Sequence, residues 1–256
     1  MLPFWLSIAA LSLVQALLVA APRAVEVPAL GALRGRWWAF LPPLSIIVVV
    51  GAIALDSASA QVLTYVALIG VPPLAALALG ALVHGARPPL ALLVLPLFAL
   101  AWAARGELGG QTAALALSAL ACVALGWLLV AVVPGGWLRL GIYAMAAIDT
   151  WLVASDLLQG PNAILNTASP GTLPRLQFAH FGSAVMGFGD LFVAATLGAL
   201  LARNRSLQLR AAGIAALFGI AFDCLFFVVD ELPATVPIAL TLAVVEFTRR
   251  RQLRAA

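Results

Sequence analysis

Lysine is absent from this 256-residue chain, and charged side chains of all kinds make up only 9% of it. Its basic charge comes from arginines spread along the sequence rather than gathered into a patch, which argues against a nucleic-acid interface. Cysteine occurs twice, as Cys122 and Cys224, each inside a separate apolar run. That spacing gives neither a disulfide framework nor a metal-ligand motif, and both read as small buried hydrophobes. The two histidines, His84 and His180, stand apart at the ends of apolar runs and read as solvated interfacial residues. No metal or cofactor is expected. There is no internal repeat of the kind many transporters carry, and no polar stretch long enough for a soluble domain.

What the chain has in abundance is apolar sequence, 64% of all residues, which makes it an integral membrane protein bound into a lipid bilayer. Nine apolar runs stand out, at 4–21, 37–55, 61–83, 89–104, 112–133, 138–158, 178–202, 211–229 and 233–248. Read as helices, they predict an all-α, polytopic bundle of nine transmembrane helices. The first run precedes Ala20-Ala21-Pro22, which resembles a cleavage region, but it lacks the basic flank of a signal peptide and is expected to stay as a helix.

With the N-terminus outside, nine crossings leave only Arg105 and Arg175 on the outer side, and the C-terminus is cytoplasmic by the positive-inside rule. Trp37, Trp38 and Trp137 read as interface anchors. Between the sixth and seventh runs, residues 159–177 carry Gly160, Pro161, Pro170, Gly171 and Pro174, and predict an irregular external loop. The arginine-only, alanine-rich composition suggests a GC-rich genome and hence a bacterial plasma membrane.

Aspartate inside such runs is costly and by default functional. Asp149 lies in the sixth run and Asp190 in the seventh. At a helical rise Asp149 sits ~16 Å in from about residue 138 and Asp190 ~15 Å in from about residue 180, so both reach the same depth in the bilayer. Helices adjacent in sequence commonly pack together, so the two carboxyls are expected to face one another. Two carboxyls in a poorly solvated place share a proton, one serving as general base toward water and the other as general acid. Gly187 and Gly189 clear bulk beside Asp190 and loosen the helix there, although membrane helices also use small residues simply to pack closely.

Gly187-Phe188-Gly189-Asp190 resembles the Gly-x-Gly-Asp motif of the presenilin and signal peptide peptidase family of intramembrane aspartyl proteases. The resemblance covers roughly residues 138–248. Asp149 stands where that family has its first aspartate, with Ile148 in place of the usual tyrosine. Pro233-Ala234-Thr235 stands where a Pro-Ala-Leu motif opens the ninth helix, with Thr235 in place of leucine. The resemblance implies a presenilin-like single membrane domain over 1–256, with helices one to five (1–137) as scaffold and helices six to nine (138–256) as catalytic core. Asp149 and Asp190 would be catalytic, Gly187, Phe188 and Gly189 the active-site motif, and Pro233, Ala234 and Thr235 substrate-positioning. Substrates would be transmembrane or signal-peptide-like helices, cut without an obligatory partner subunit. A substrate must unwind to be cut, and an enzyme strand could pair with it; Asn162-Ala163-Ile164-Leu165 or residues near Pro233 are the expected edge.

Pro233 equally suits the first turn of a helix, and Pro237, one turn further in, is expected to bend it or loosen its start, so that together they favour a non-helical opening. Asp156 reads as interfacial, Asp223 as held by an interhelical hydrogen bond or as a neutral acid, and Glu246 as paired with Arg249 or Arg250. Three other readings stand beside the first. One is a prepilin-peptidase-like enzyme, similar in Gly189-Asp190 and Ala194-Ala195-Thr196-Leu197-Gly198. Another is a proton- or ion-coupled transporter using Asp149, Asp190 and Asp223 as a relay. The third is a silent relative that binds membrane helices without cutting them.

Overall fold

A computed structural model describes residues 2–255. The first six apolar runs become α1 (Phe4–Ala20), α3 (Leu41–Leu55), α4 (Ala58–Leu77), α5 (Val94–Ala103), α6 (Leu108–Val132) and α7 (Gly135–Ala154), with a single turn α2 (Pro28–Gly31) between the first two. A short α8 (Gln159–Thr167), a hairpin of β1 (Phe178–Phe181) and β2 (Ala184–Gly187), and then α9 (Phe188–Leu201), α10 (Arg205–Asp223) and α11 (Val236–Ala255) complete the chain. The architecture is a helical bundle of membrane type. Arg36–Leu55, Ala58–Leu82, Leu108–Val132 and Arg205–Phe227 are each long and apolar enough to cross a bilayer, and α7 with α8 would make a fifth span bent by 95°. α1, Pro88–Ala103 and α9 are shorter apolar helices.

α6 is the shared wall of two packed groups. On one side it meets α4 and α5 through Val71, Ala75, Ala113, Leu117 and Ala121. On the other it runs against α9, which in turn packs on α1, and α1 continues onto α10. In a bilayer such contacts depend on close fit, because lipid tails are as apolar as leucine. Small residues provide the fit. A Cβ on Gly198 would stand 2.5 Å from the Val19 carbonyl oxygen of α1, and one on Gly126 would stand 2.8 Å from the Thr196 backbone nitrogen of α9. α9 is therefore clamped on two sides by glycines that admit a neighbouring backbone.

The expected seventh helix differs most. Its first ten residues are not helical: Phe178 pairs with Gly187 and Phe181 with Ala184 in an antiparallel hairpin. The two connecting residues are Gly182 and Ser183, and Gly182 has φ +62°, the left-handed value that a two-residue hairpin turn needs at its first position. The turn docks on α1 and α6: the Ser183 N–H donates to Ser7 Oγ at 3.2 Å, and the Gly182 N–H to Gln111 Oε1 at 2.7 Å. These anchors supply partners that a helix would have found internally.

Residues 159–177, expected to be irregular throughout, begin instead with α8, in which Asn162, Ala163, Ile164 and Leu165 are helical. Their own carbonyls and N–H groups are engaged along the helix, so they offer no free strand edge. Pro237 does not bend the last helix, because α11 starts only at Val236, and a proline in the first turn has no intrahelical bond to lose.

Candidate functional site

Asp190 sits in the first turn of α9 rather than within a continuous helix. Gly187 is the residue before that helix, with φ −64° and ψ 148°, extended backbone open to any residue. Its glycine identity is a matter of space: the backbone N–H of Gly187 donates to Asp190 Oδ2 at 3.0 Å, and a Cβ at 187 would stand 3.0 Å from that same oxygen. The carboxyl thus folds back over the helix start and occupies the room a side chain would take. Gly189 has nothing within 4 Å of a would-be Cβ, so the surface beside Asp190 is open on that side. The glycines flank a helix terminus; they do not loosen a helix interior.

Asp149 is reached differently. It lies well inside α7, and its partner comes from the far end of the sequence. Thr235, 1% exposed just ahead of α11, donates its hydroxyl to Asp149 Oδ2 at 2.6 Å. α7, α9 and α11 touch one another here, and the Asp149 and Asp190 carboxyls lie within coulombic reach. Both side chains are partly exposed. Each is held through one oxygen by a different partner, and charging both carboxyls at once is unfavourable where water is scarce.

Pro233 is buried in the segment that leads into α11, its carbonyl accepting from the Val236 N–H at 3.1 Å. Ala234 accepts at its carbonyl from the side-chain amide of Gln15 at 3.1 Å, and the same Gln15 nitrogen donates to the Asp190 carbonyl at 3.3 Å. Gln15 is on α1 and is 2% exposed. Sequence reasoning passed over it, yet a signal exists: Ser7, Ser12 and Gln15 are the polar residues of an otherwise apolar helix and are all buried, as an inward-facing stripe would be. Phe188 is backed from α6, where Cys122 Sγ lies 3.8 Å from the Phe188 carbonyl oxygen.

The remaining acidic residues lie apart from this pair. Ser12 Oγ lies 2.9 and 3.1 Å from the two carboxyl oxygens of Asp223, an interhelical hydrogen bond between α1 and α10. Glu246 pairs with Arg139 of α7 at 3.4 Å and accepts from Tyr143 Oη at 3.4 Å, rather than pairing with Arg249 or Arg250. Those two arginines follow it on the same helix, whereas Arg139 is brought to it by the packing of α7 on α11. Asp156 is exposed beyond the end of α7, with a φ of +54°. Nearby Glu231 has its carboxyl pushed above the usual range by partial burial and then by the charges of Asp156 and Asp230. Cys122 is buried as expected, whereas Cys224, also expected to be buried, is exposed, because it opens the 3-10 turn Cys224–Phe227 just after α10, none of whose residues is buried. Among the described residues no group of three or more metal-ligating side chains converges.

In comparison with known proteins, no family model, no curated protein and no solved structure matches the chain.

Proposed function

We propose that this protein is an intramembrane aspartyl protease that cuts transmembrane or signal-peptide-like helices, using Asp149 and Asp190 as its two carboxyls. The observation that carries the reading is their convergence: two aspartates from separate apolar helices, each partly exposed, are joined through the adjacent residues Ala234 and Thr235, one tied by Gln15 to the Asp190 main chain and the other bonded to the Asp149 carboxyl. A structural acid in a membrane bundle needs only a hydrogen-bond partner, as Asp223 has in Ser12; two acids together carry a cost that a proton-transfer role explains.

In the reaction, the carboxylate member of the pair takes a proton from a water as its oxygen attacks the scissile carbonyl carbon. The protonated member gives its proton to the carbonyl oxygen, forming a neutral tetrahedral diol. Collapse breaks the C–N bond, the nitrogen takes a proton from the first aspartic acid, and a diol hydroxyl proton returns to the second. Water is consumed and the pair is again singly protonated. The titration belongs to the pair, so no role is assigned to one aspartate alone. Gly189 leaves the approach to Asp190 open. Among the described residues β2 pairs with no strand but β1, and its outer edge, apart from the Gly187 N–H that Asp190 holds, would receive an unwound substrate by strand addition.

The proposal extends to topology: nine crossings, an outside N-terminus and a cytoplasmic C-terminus in a bacterial plasma membrane, with the chain acting without a partner subunit. The arginine distribution supports it. The test is cleavage of a membrane-helix reporter by purified protein in liposomes. Wild type is expected to yield two fragments, and Asp149→Asn and Asp190→Asn none. Cleavage that persists in either variant rejects the paired-carboxyl mechanism.

A further inference from the structure

We infer that Gln15 and Thr235 form a positioning brace that sets Asp149 against Asp190. The inference rests on reading the two aspartates as one working pair, and it concerns residues 134 positions or more from Gln15 in sequence. The Gln15 amide nitrogen carries two hydrogens, and the geometry gives one to the Asp190 carbonyl at 3.3 Å and the other to the Ala234 carbonyl at 3.1 Å. The next residue, Thr235, gives its hydroxyl hydrogen to Asp149 Oδ2 at 2.6 Å. One unbroken line therefore runs from the Asp190 main chain through the Gln15 amide and the Ala234–Thr235 peptide to the Asp149 carboxyl.

Each end of this line answers a specific need. Asp190 has a local seat for its side chain, the Gly187 N–H, but that bond does not reach the segment before α11 that carries Thr235. Asp149 stands inside a helix whose backbone N–H groups are already used, so an anchor for its carboxyl must come from another segment. Thr235 supplies that anchor, and Gln15 ties the segment bearing it to α9. An apolar side chain at 15 would leave the Ala234 carbonyl short of a donor in surroundings where water is scarce, and would cut its tie to Asp190, whose own carbonyl keeps its bond inside α9. Valine at 235 would keep the shape and release the carboxyl. Serine would keep the hydroxyl.

The brace is tested on the full-length protein in lipid nanodiscs with aspartate carboxyls labelled with carbon-13, by infrared difference spectra across pH. Asp149→Asn and Asp190→Asn assign the bands. Thr235→Val is expected to move the Asp149 band and Thr235→Ser to restore it. Gln15→Met is expected to move the Asp149 band as well, although residue 15 does not touch that carboxyl. The same two disabling variants should lose at least about tenfold in labelling by a hydroxyl-bearing transition-state mimic, the loss expected for mispositioned acid–base groups. A Gln15 that only fills space would lower the unfolding temperature and leave the Asp149 band in place, and that result overturns the brace. Should Gln15→Met not fold, Gln15→Asn, one methylene shorter and unable to span both carbonyls, is read in the same way. Bands that move in the variants while the wild type takes no label uphold the brace and reject the protease. A labelled wild type with unmoved bands does the reverse.

Discussion

The two aspartates are held in opposite ways. Asp190 is seated by its own neighbours: it lies three positions from the glycine whose N–H it accepts, and the open side at Gly189 is also local. Asp149 is seated by Thr235, 86 residues away, which is itself placed through Ala234 and Gln15 on the first helix. A local seat moves with its helix and survives rearrangement of the bundle. A tertiary seat exists only when α1, α7, α9 and α11 are all docked. The Asp149 half of the site is therefore the half that should respond to changes elsewhere in the fold.

The largest effect should come from the carboxyls themselves. Asp149→Asn and Asp190→Asn should each remove activity by about 10²–10⁴-fold or more, as loss of a general acid or base does, with helix content by circular dichroism unchanged. Equal losses at the two positions would show that the difference in seating does not extend to the chemistry. Next comes the clamp around α9. Gly198→Leu drives a side chain into the Val19 carbonyl and should destabilise by about 1–3 kcal/mol, read as thermal unfolding in detergent. Gly189→Ala, in open space, should stay within roughly 1 kcal/mol of wild type. A comparable loss in both would mean that α9 is not gripped as described.

A smaller effect sharpens the local seat. Gly187→Ala crowds Asp190 Oδ2 without altering an extended backbone, so turnover should fall about tenfold, equivalent to roughly 1.4 kcal/mol, while the unfolding temperature holds. The smallest concerns the acid outside the pair. Ser12→Ala removes the hydrogen bond to Asp223 and should cost about 0.6 kcal/mol of stability, the average for an interhelical hydrogen bond, with proteolysis unchanged. Loss of proteolysis on Ser12→Ala would join Asp223 to the site and favour a relay.

Composition and run length made the helical membrane class legible, because both depend only on which residues cluster along the chain. The hairpin was legible too, and was passed over: Gly182-Ser183 between Phe178–Phe181 and Ala184–Gly187 is a two-residue hairpin signal inside an apolar run that hydropathy alone reads as helix. Asp190 could be found because its motif is contiguous. The contacts of Asp149 could not, since a hydrogen bond between Thr235 and a residue 86 positions earlier leaves no local pattern. Glu246 illustrates the same limit. Spacing on one helix pointed to Arg249 or Arg250, but the docking of α7 delivered Arg139 first.

The measurement that bears most directly on the paired-aspartate account is covalent labelling of the purified protein by a photoreactive peptide isostere whose hydroxyl mimics the tetrahedral intermediate. It requires no known substrate. The account predicts specific labelling of the wild type, competed by unlabelled isostere and lost in both Asp149→Ala and Asp190→Ala. A well-folded wild type that takes no label, or label that persists without Asp149, would contradict it.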